Sequence, residues 1–477
     1  MAGDGPAHLA CRPQRHAHTA RWLDRLHRFH RHTGHRILAE IPPREMADHD
    51  RPGARSPGQH ARAPSRFFTR FPVRSHAASP AMTDKNQLIE DAWDIPEGVT
   101  YLNHGSFGPA PRPVREAQAR WTAELQRQPM EFFVRRLEGL LDEACAALGQ
   151  FVGADARDLV LVDNATAGMN IVARSVELQP GDQVLLTDHE YGAVRRLWQK
   201  TCQAAGAELI VRRLPWPLLE DDSAEQLVEH LVAAFTDRTR LLVASHVTSA
   251  TATTLPIAAI CQAASQRGVP VCVDGPHAVA MLPLAIEQLG CDYYTASCHK
   301  WLSAPFGSGF LWVRRRHQPR IRPAITSWGG SVGGRDSSWK DEFTWGGTRD
   351  PACWLAIPEA ISFLEDHGIE SFRDQTHDLV NTARRQLLEL TGLQSPLPES
   401  RQWYGPMAIV PLPPNPDATT GHGHVDPLQR TLQQQFGIET PVTTLHEHRY
   451  IRISCHLYNT AKDIDHLVGA LSESLPG

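Results

Sequence analysis

Four short runs are almost wholly apolar, and polar residues follow each one. Val160-Leu161-Val162 precedes Asp163-Asn164-Ala165-Thr166, and Gln183–Thr187 precedes Asp188-His189-Glu190. Leu241–Ser245 precedes the polar stretch 246–249, and Val269–Val273 precedes Asp274. Stretches of helical periodicity separate the runs. A strand that is apolar on both sides must be buried on both sides. Such strands alternating with helices predict an α/β fold, a parallel sheet covered by helices on each face. Ligands of these sheets sit beyond the carboxyl ends of the strands. The polar segments 163–166, 188–191, 246–249 and 274–277 are therefore expected to converge on one site.

The chain has 477 residues, 41% hydrophobic and 21% charged, enough for a large core and more than one domain. Helices are expected at Ala356–His367, Ser371–Leu390 and Ala461–Ser474, with strands at Tyr404–Pro411 and Tyr450–Ser454. These fit a smaller α+β C-terminal domain. The expected division is a leader at 1–81, an N-terminal arm at 82–115, a large domain at 116–345 and a small domain at 346–477. No run approaches the length of a membrane span, so no membrane partner is expected. The net charge of −5 gives no reason to expect nucleic acid. Nine cysteines without a C-x-x-C pair do not form a disulfide framework, which points to a reducing cytoplasm.

Residues 1–81 are different. They hold 14 Arg, no Lys and 6 acidic residues, a balance of +8, and 10 of the 25 His. Little Val, Ile or Leu is present to offset chain entropy, so disorder is expected there. A short helix at Arg21–His30 would place Trp22, Leu23, Leu26 and Phe29 on one face. The abrupt change at Ser79–Met82 favours an upstream extension with the protein proper starting near Met82. A basic arm or a targeting peptide are the alternatives. The histidines follow no ligand spacing, and no metal site is expected.

The chemistry centres on Ser297-Cys298-His299-Lys300-Trp301-Leu302, followed by Pro305-Phe306-Gly307-Ser308-Gly309-Phe310. Burial lowers a lysine's pKa and makes it a nucleophile suited to a Schiff base. Asp274, at a strand end, is placed to pair with a pyridinium nitrogen, as pyridoxal phosphate requires. Either residue alone would more often be structural; the set points to catalysis.

With these residues in place, the chain resembles the class V aminotransferases, fold-type I pyridoxal-phosphate enzymes, and within them the isopenicillin N epimerase-like branch. The resemblance runs over about 98–470. It is carried by YLNHGSFGPAP (101–111), NATAGMN (164–170), GDQVLLTDHEYGAV (181–194), SHVTSATATTLPI (245–257), VDGPHA (273–278), YTASCHKWLSAPFGSGFLWV (294–313), FTWGGTRDP (343–351) and YIRISCHLYN (450–459). It implies a mostly parallel seven-stranded sheet in the large domain.

It also implies roles. Lys300 would form the Schiff base with pyridoxal 5'-phosphate, and Asp274 would pair with the ring nitrogen. His277 would lie near the phenolic oxygen. His299, Ala165 and Thr166 would hold the phosphate, with Gly347 and Thr348 reaching it from a second subunit of an obligate homodimer. His189 aligns with the position that stacks on the ring; Tyr191 would stack instead or donate a proton. Ser249 would lie near the cofactor. Arg452 would bind the substrate carboxylate, and Asn103, His104 and Ser106 would line the entrance. Ala252, Pro276 and Val279 depart from the family pattern at positions that shape the pocket.

The resemblance implies an enzyme acting at the α-carbon of an amino acid or small peptide, an epimerase or aminotransferase. A β-eliminating C–S lyase of sulfoxide lyase or desulfurase type is the alternative, and a non-catalytic binding protein a remote one. A desulfurase needs a thiol on a mobile loop, and 391–443 contains no Cys.

Overall fold

A computed structural model describes residues 92–218, 223–416 and 425–475. The leader, the helix at 21–30 and the start near Met82 lie outside these residues.

The strands, in chain order, are β1 (Thr100–Tyr101), β2 (Leu159–Val162), β3 (Gln183–Thr187), β4 (Glu208–Arg212), β5 (Thr239–Ser245), β6 (Val271–Asp274), β7 (Tyr293–Ser297), β8 (Gly309–Val313), β9 (Met407–Leu412), β10 (Ile438–Glu439), β11 (Val442–Leu445) and β12 (His448–Ser454). Seven form one sheet in the order β2-β8-β7-β6-β5-β3-β4. Only β8 runs against the rest; its neighbours β2 and β7 both pair with it antiparallel.

Both faces of this sheet are covered. Along β3, β5 and β6, Leu185, Leu242, Ala244, Val271 and Val273 enter one core. The alternate residues Val184, Leu186, Leu241, Val243 and Cys272 enter the other. The period-two side-chain alternation of a strand thus feeds two helical layers, which is why these runs carry no polar residue until they end. Burying each Leu or Val is worth about 1.5–3 kcal/mol.

Strand register brings the chemistry to one edge. Ser245 pairs with Asp274, Asp274 with Thr295, Ser297 with Gly309, and Gly309 with Val162. The carboxyl ends of β2, β5, β6 and β7 are therefore level. The segments that follow them open on the same side.

Two differences from the sequence expectation have local causes. The run at 269–273 becomes a strand only from Val271, because Pro270 has no N–H to give; its carbonyl still accepts from Leu242 N at 3.0 Å. Strand β4 has no counterpart among the four apolar runs, because it lies at the sheet edge and its half-exposed residues include Glu208 and Arg212. The three expected helices are present as Ile357–His367, Ile369–Thr391 and Ala461–Ser474.

The N-terminal strand does not join the large sheet. It pairs with β10, Leu102 N donates to Glu439 O at 2.9 Å, and Asn103 bridges to Ser454. Chain 100–108 thereby runs beside β12 of the three-stranded sheet β11-β12-β9. No helix among the described residues is long and apolar enough to cross a membrane.

Helix Ala165–Ser175 lies so close to β7 that a Cβ on Gly168 would fall 2.0 Å from Thr295 Oγ1. Gly168→Ala is expected to cost about 1–3 kcal/mol through overpacking. In urea unfolding the midpoint should fall with the slope unchanged.

Candidate active site

The segments beyond the strand ends enclose a cavity of about 290 Å³. At one end Asn164 caps the helix Ala165–Ser175, its Oδ1 accepting from Ala167 N at 2.9 Å. Ala165 N donates to Ser297 Oγ at 3.0 Å. Because that hydroxyl accepts there, its own hydrogen remains to donate into the cavity. Thr166 lines the same end, at a helix N-terminus whose dipole favours an anion. His299 also lines the cavity, and its buried Nδ1 has no partner among the described residues. Burial, with Lys300's charge adding to it, pushes its imidazole down to about 4.

Asp274 stands at the end of β6, buried, with Oδ1 unpartnered. Its pKa is pushed up to about 7, first by burial and then by the charge of Glu190, with Lys300 opposing. Glu190 is itself buried and well held. It accepts from Thr187 Oγ1 at 2.9 Å, Ser245 N at 3.0 Å and Ser245 Oγ at 2.6 Å.

Lys300 is half-buried on the turn after β7 and lines the cavity. Burial, reinforced by the positive charge of Arg452, pushes its amine down to about 7, against the pull of Asp274. Its Nζ is 3.1 Å from His277 Nε2. Arg452, on β12, is buried and forms no ion pair among the described residues. Neutral oxygens surround its fork. Nη1 donates to Ser249 O at 2.5 Å, and Nη2 donates to Ser106 Oγ at 2.6 Å and Asn103 Oδ1 at 3.3 Å. Nε has no partner.

Most of the sequence-derived residues therefore meet here. Lys300, Asp274, His277, His299, Ala165, Thr166, Ser249, Ser106 and Tyr191 line one cavity. Arg452 and Asn103 are not among the lining residues; they stand behind Ser106 and Ser249, to which the Arg452 fork donates.

Two residues are placed differently. His189, aligned above with the ring-stacking position, is 2% exposed and points away. Its Nδ1 meets Thr251 Oγ1 at 2.9 Å and its ring packs edge-on against Trp216. It is Tyr191, 51% exposed, that lines the cavity. His104, expected at the entrance, is fully buried beneath the Lys300 turn. Its Nε2 donates to Lys300 O at 3.1 Å, its Nδ1 accepts from Tyr458 Oη at 2.9 Å, and its ring stacks on His456 at 4.0 Å. His456 Nε2 in turn donates to Trp301 O at 3.2 Å. Gly108 makes room for this contact: a Cβ there would stand 2.5 Å from His104 Nε2.

Gly347 and Thr348 do not line the cavity of their own chain. Sequence reasoning passed over Ser297 and Glu190. Ser297 carried a signal as the last residue of a strand inside the lysine motif; Glu190 carried none beyond sitting between two residues already chosen.

The residues fit pyridoxal phosphate. Asp274 Oδ1 and His299 Nδ1 are buried polar atoms that lack partners, and a helix N-terminus and an amine share their cavity. The fold and this site define a pyridoxal-phosphate-dependent enzyme. A profile of the family described as Aminotransferase class-V matches residues 115–467, and the chain belongs to that family. It is 37% identical over 384 residues to the isopenicillin N epimerase of Streptomyces clavuligerus, covering 78% of this chain and 94% of that protein. It is 28% identical over 416 residues to the putative L-cysteine desulfhydrase 1 of Oryza sativa subsp. japonica, covering 79% and 83%. The solved structure of a cystine C–S lyase with its product cysteine persulfide has the same fold, with a TM-score of 0.68 at 23% identity, covering 80% of this chain and 99% of that one.

Purified protein is expected to show a visible absorption band that borohydride bleaches, leaving the cofactor's mass on the peptide containing Lys300. Lys300→Ala should lose that fixed mass; retention of it elsewhere would contradict the assignment.

The buried histidines make a second expectation. Burial holds His104 well below its ordinary value of 6.5 and His456 at about 3. The unfolded chain thus binds more protons than the folded one once pH drops below about 6.5. Stability is full above that pH and is lost as pH falls from 6.5 toward 3. Urea midpoints measured across this window should fall with acid, and His456→Gln should make the fall shallower.

Proposed function

We propose that this enzyme acts at the α-carbon of an amino acid or small peptide, as an isopenicillin N epimerase-like epimerase or an aminotransferase. The observation that carries this is Arg452. A buried guanidinium held only by neutral oxygens, next to the Schiff-base lysine, is built to take a carboxylate bidentately. Its charge is compensated only when an anionic substrate arrives. With the carboxylate there, the neighbouring α-carbon stands near Lys300.

When bound, pyridoxal phosphate supplies an electron sink for the bond broken at that carbon. The remaining work belongs to the chain. Thr166, Ser297 and His299 would hold the phosphate. Asp274 would accept a hydrogen bond from the ring nitrogen, and Glu190 behind it would favour a shared proton there. Lys300 Nζ, neutral above about pH 7, takes the α-proton. Tyr191 Oη is the second proton carrier at the cavity. Whether the proton returns to the α-carbon decides between epimerisation and transamination.

The likeness to a desulfhydrase supports β-elimination of a sulfur group as a second reading. The persulfide-forming variant has less support, because all eight described cysteines are buried and none lines the cavity. These free thiols also support a reducing, cytoplasmic setting. A homodimer with shared sites is supported by Gly347, left-handed at φ 107° with open space around it, and by the exposed Phe306 and Trp328.

Incubation with amino acids in D2O should place deuterium on the α-carbon with inverted configuration, or yield the 2-oxo acid. Pyruvate with ammonia and sulfide from cysteine as the main products would replace this proposal with the C–S lyase. Arg452→Gln should lower kcat/KM for α-carboxylate substrates by about 100-fold.

A further inference from the structure

Trp301 follows the Schiff-base lysine and is fully buried. It does not line the cavity. Its Nε1 donates to His277 Nδ1 at 3.3 Å. The other nitrogen of the same imidazole, Nε2, lies 3.1 Å from Lys300 Nζ. His277 is 1% exposed and Trp301 fully buried, so the indole contact has no water as an alternative partner.

The chemistry of these three groups leaves little freedom. An indole N–H can only donate. His277 Nδ1 must therefore present its lone pair. A neutral imidazole carries one N–H, which then lies on Nε2 and points at Lys300 Nζ. A nitrogen can accept that bond only as a free amine, because an ammonium has three N–H groups and no lone pair. The opposite arrangement has the Lys300 ammonium donating to Nε2. It would put the His277 proton on Nδ1, facing the indole N–H at hydrogen-bond distance. Two donors opposed in a dry site lose a bond and repel. An imidazolium meets the same conflict at Nδ1, and it adds a third positive group to the site of Lys300 and Arg452.

We propose that Trp301 is a positioning residue: its indole N–H holds His277 in the Nε2–H form and, through it, keeps Lys300 as the free amine. The proposal rests on the assignment of Lys300 as the Schiff-base lysine. A free amine can add to an aldehyde carbon; the new C=N bond replaces C=O, and the oxygen leaves as water with the two amine hydrogens.

The groups that face this trio are few. Arg452 and Asp274 act on Lys300 from β12 and β6, and Arg452 also acts on His277. On the other side Trp301 packs against the neutral rings of His104, at 5.4 Å, and His456, at 6.5 Å. Trp301→Phe leaves all of these charges in place. It removes the N–H while keeping an aromatic ring.

The first test is the tautomer in the wild-type protein freed of cofactor, by nitrogen NMR with labelled histidine. His277 is expected as Nε2–H; an Nδ1–H signal there would overturn the proposal whatever any variant does. The second is the pH dependence of the rate at which pyridoxal phosphate is fixed to Lys300 by cyanoborohydride. In Trp301→Phe the inflection should move up by roughly one pH unit, the worth of one hydrogen bond. In a His277→Gln background the same substitution should be silent. An unmoved inflection in the single variant, or an equal shift in the double, would assign Trp301 to packing alone. If no cofactor mass can be fixed to Lys300 in the wild type, the Schiff-base assignment fails, while the NMR result still decides the tautomer.

Discussion

The amine of Lys300 and the guanidinium of Arg452 share one buried site, and the rest of the structure is arranged around their repulsion. Burial first, and then the charge of Arg452, disfavours the charged amine, so Lys300 gives up its proton near neutrality. Asp274 pulls the other way, and its own charge is weakened by burial and by Glu190. An electrostatically hungry pocket results, with one permanent cation, one reactive amine and an acid of adjustable charge. Arg452 keeps its proton there because neutral oxygens of Ser249, Ser106 and Asn103 solvate it in place of water.

Those oxygens come from two parts of the chain, and the arginine from a third. Ser249 follows β5, Arg452 lies on β12, and Asn103 and Ser106 belong to the segment that β10 and β12 hold in place. Side chains of the N-terminal segment therefore help to hold the Arg452 guanidinium. Beneath the lysine, His104 and His456 perform the complementary task. They tie down the carbonyls of Lys300 and Trp301, so that the turn carrying the amine cannot relax away from the cavity. Ser303, left-handed at φ 54°, closes the same turn, with its N donating to Lys300 O at 2.7 Å. Strain of that kind persists only where its surroundings enforce it.

The legible part of this arrangement followed from local rules. Strand ends were readable because both-face burial excludes polar residues until the strand stops. Residues just after those ends, such as Thr166, Asp274, His277 and Lys300, could then be chosen by position and chemistry together. The misplacements came where a side chain's direction mattered. His189 and Tyr191 are two positions apart in one turn, and their order in the chain does not say which faces the cavity. His104 is polar and lies in a glycine-rich segment, which reads as an entrance; its burial is evident only once Tyr458, Ser303 and His456, distant in sequence, are brought against it.

By itself the sequence determined the α/β architecture, the family and the cofactor, and it pointed to the lysine and the aspartate. Periodicity and motif spacing are properties of neighbouring residues, and the backbone must obey them wherever it goes. Tertiary structure alone decided that Arg452 has no counter-ion, that Glu190 stands behind Asp274, and that His277 is gripped between Trp301 and Lys300. Each of these depends on distance and dielectric between groups far apart in the chain. Such quantities exist only after the sheet has set its register and water has been driven out.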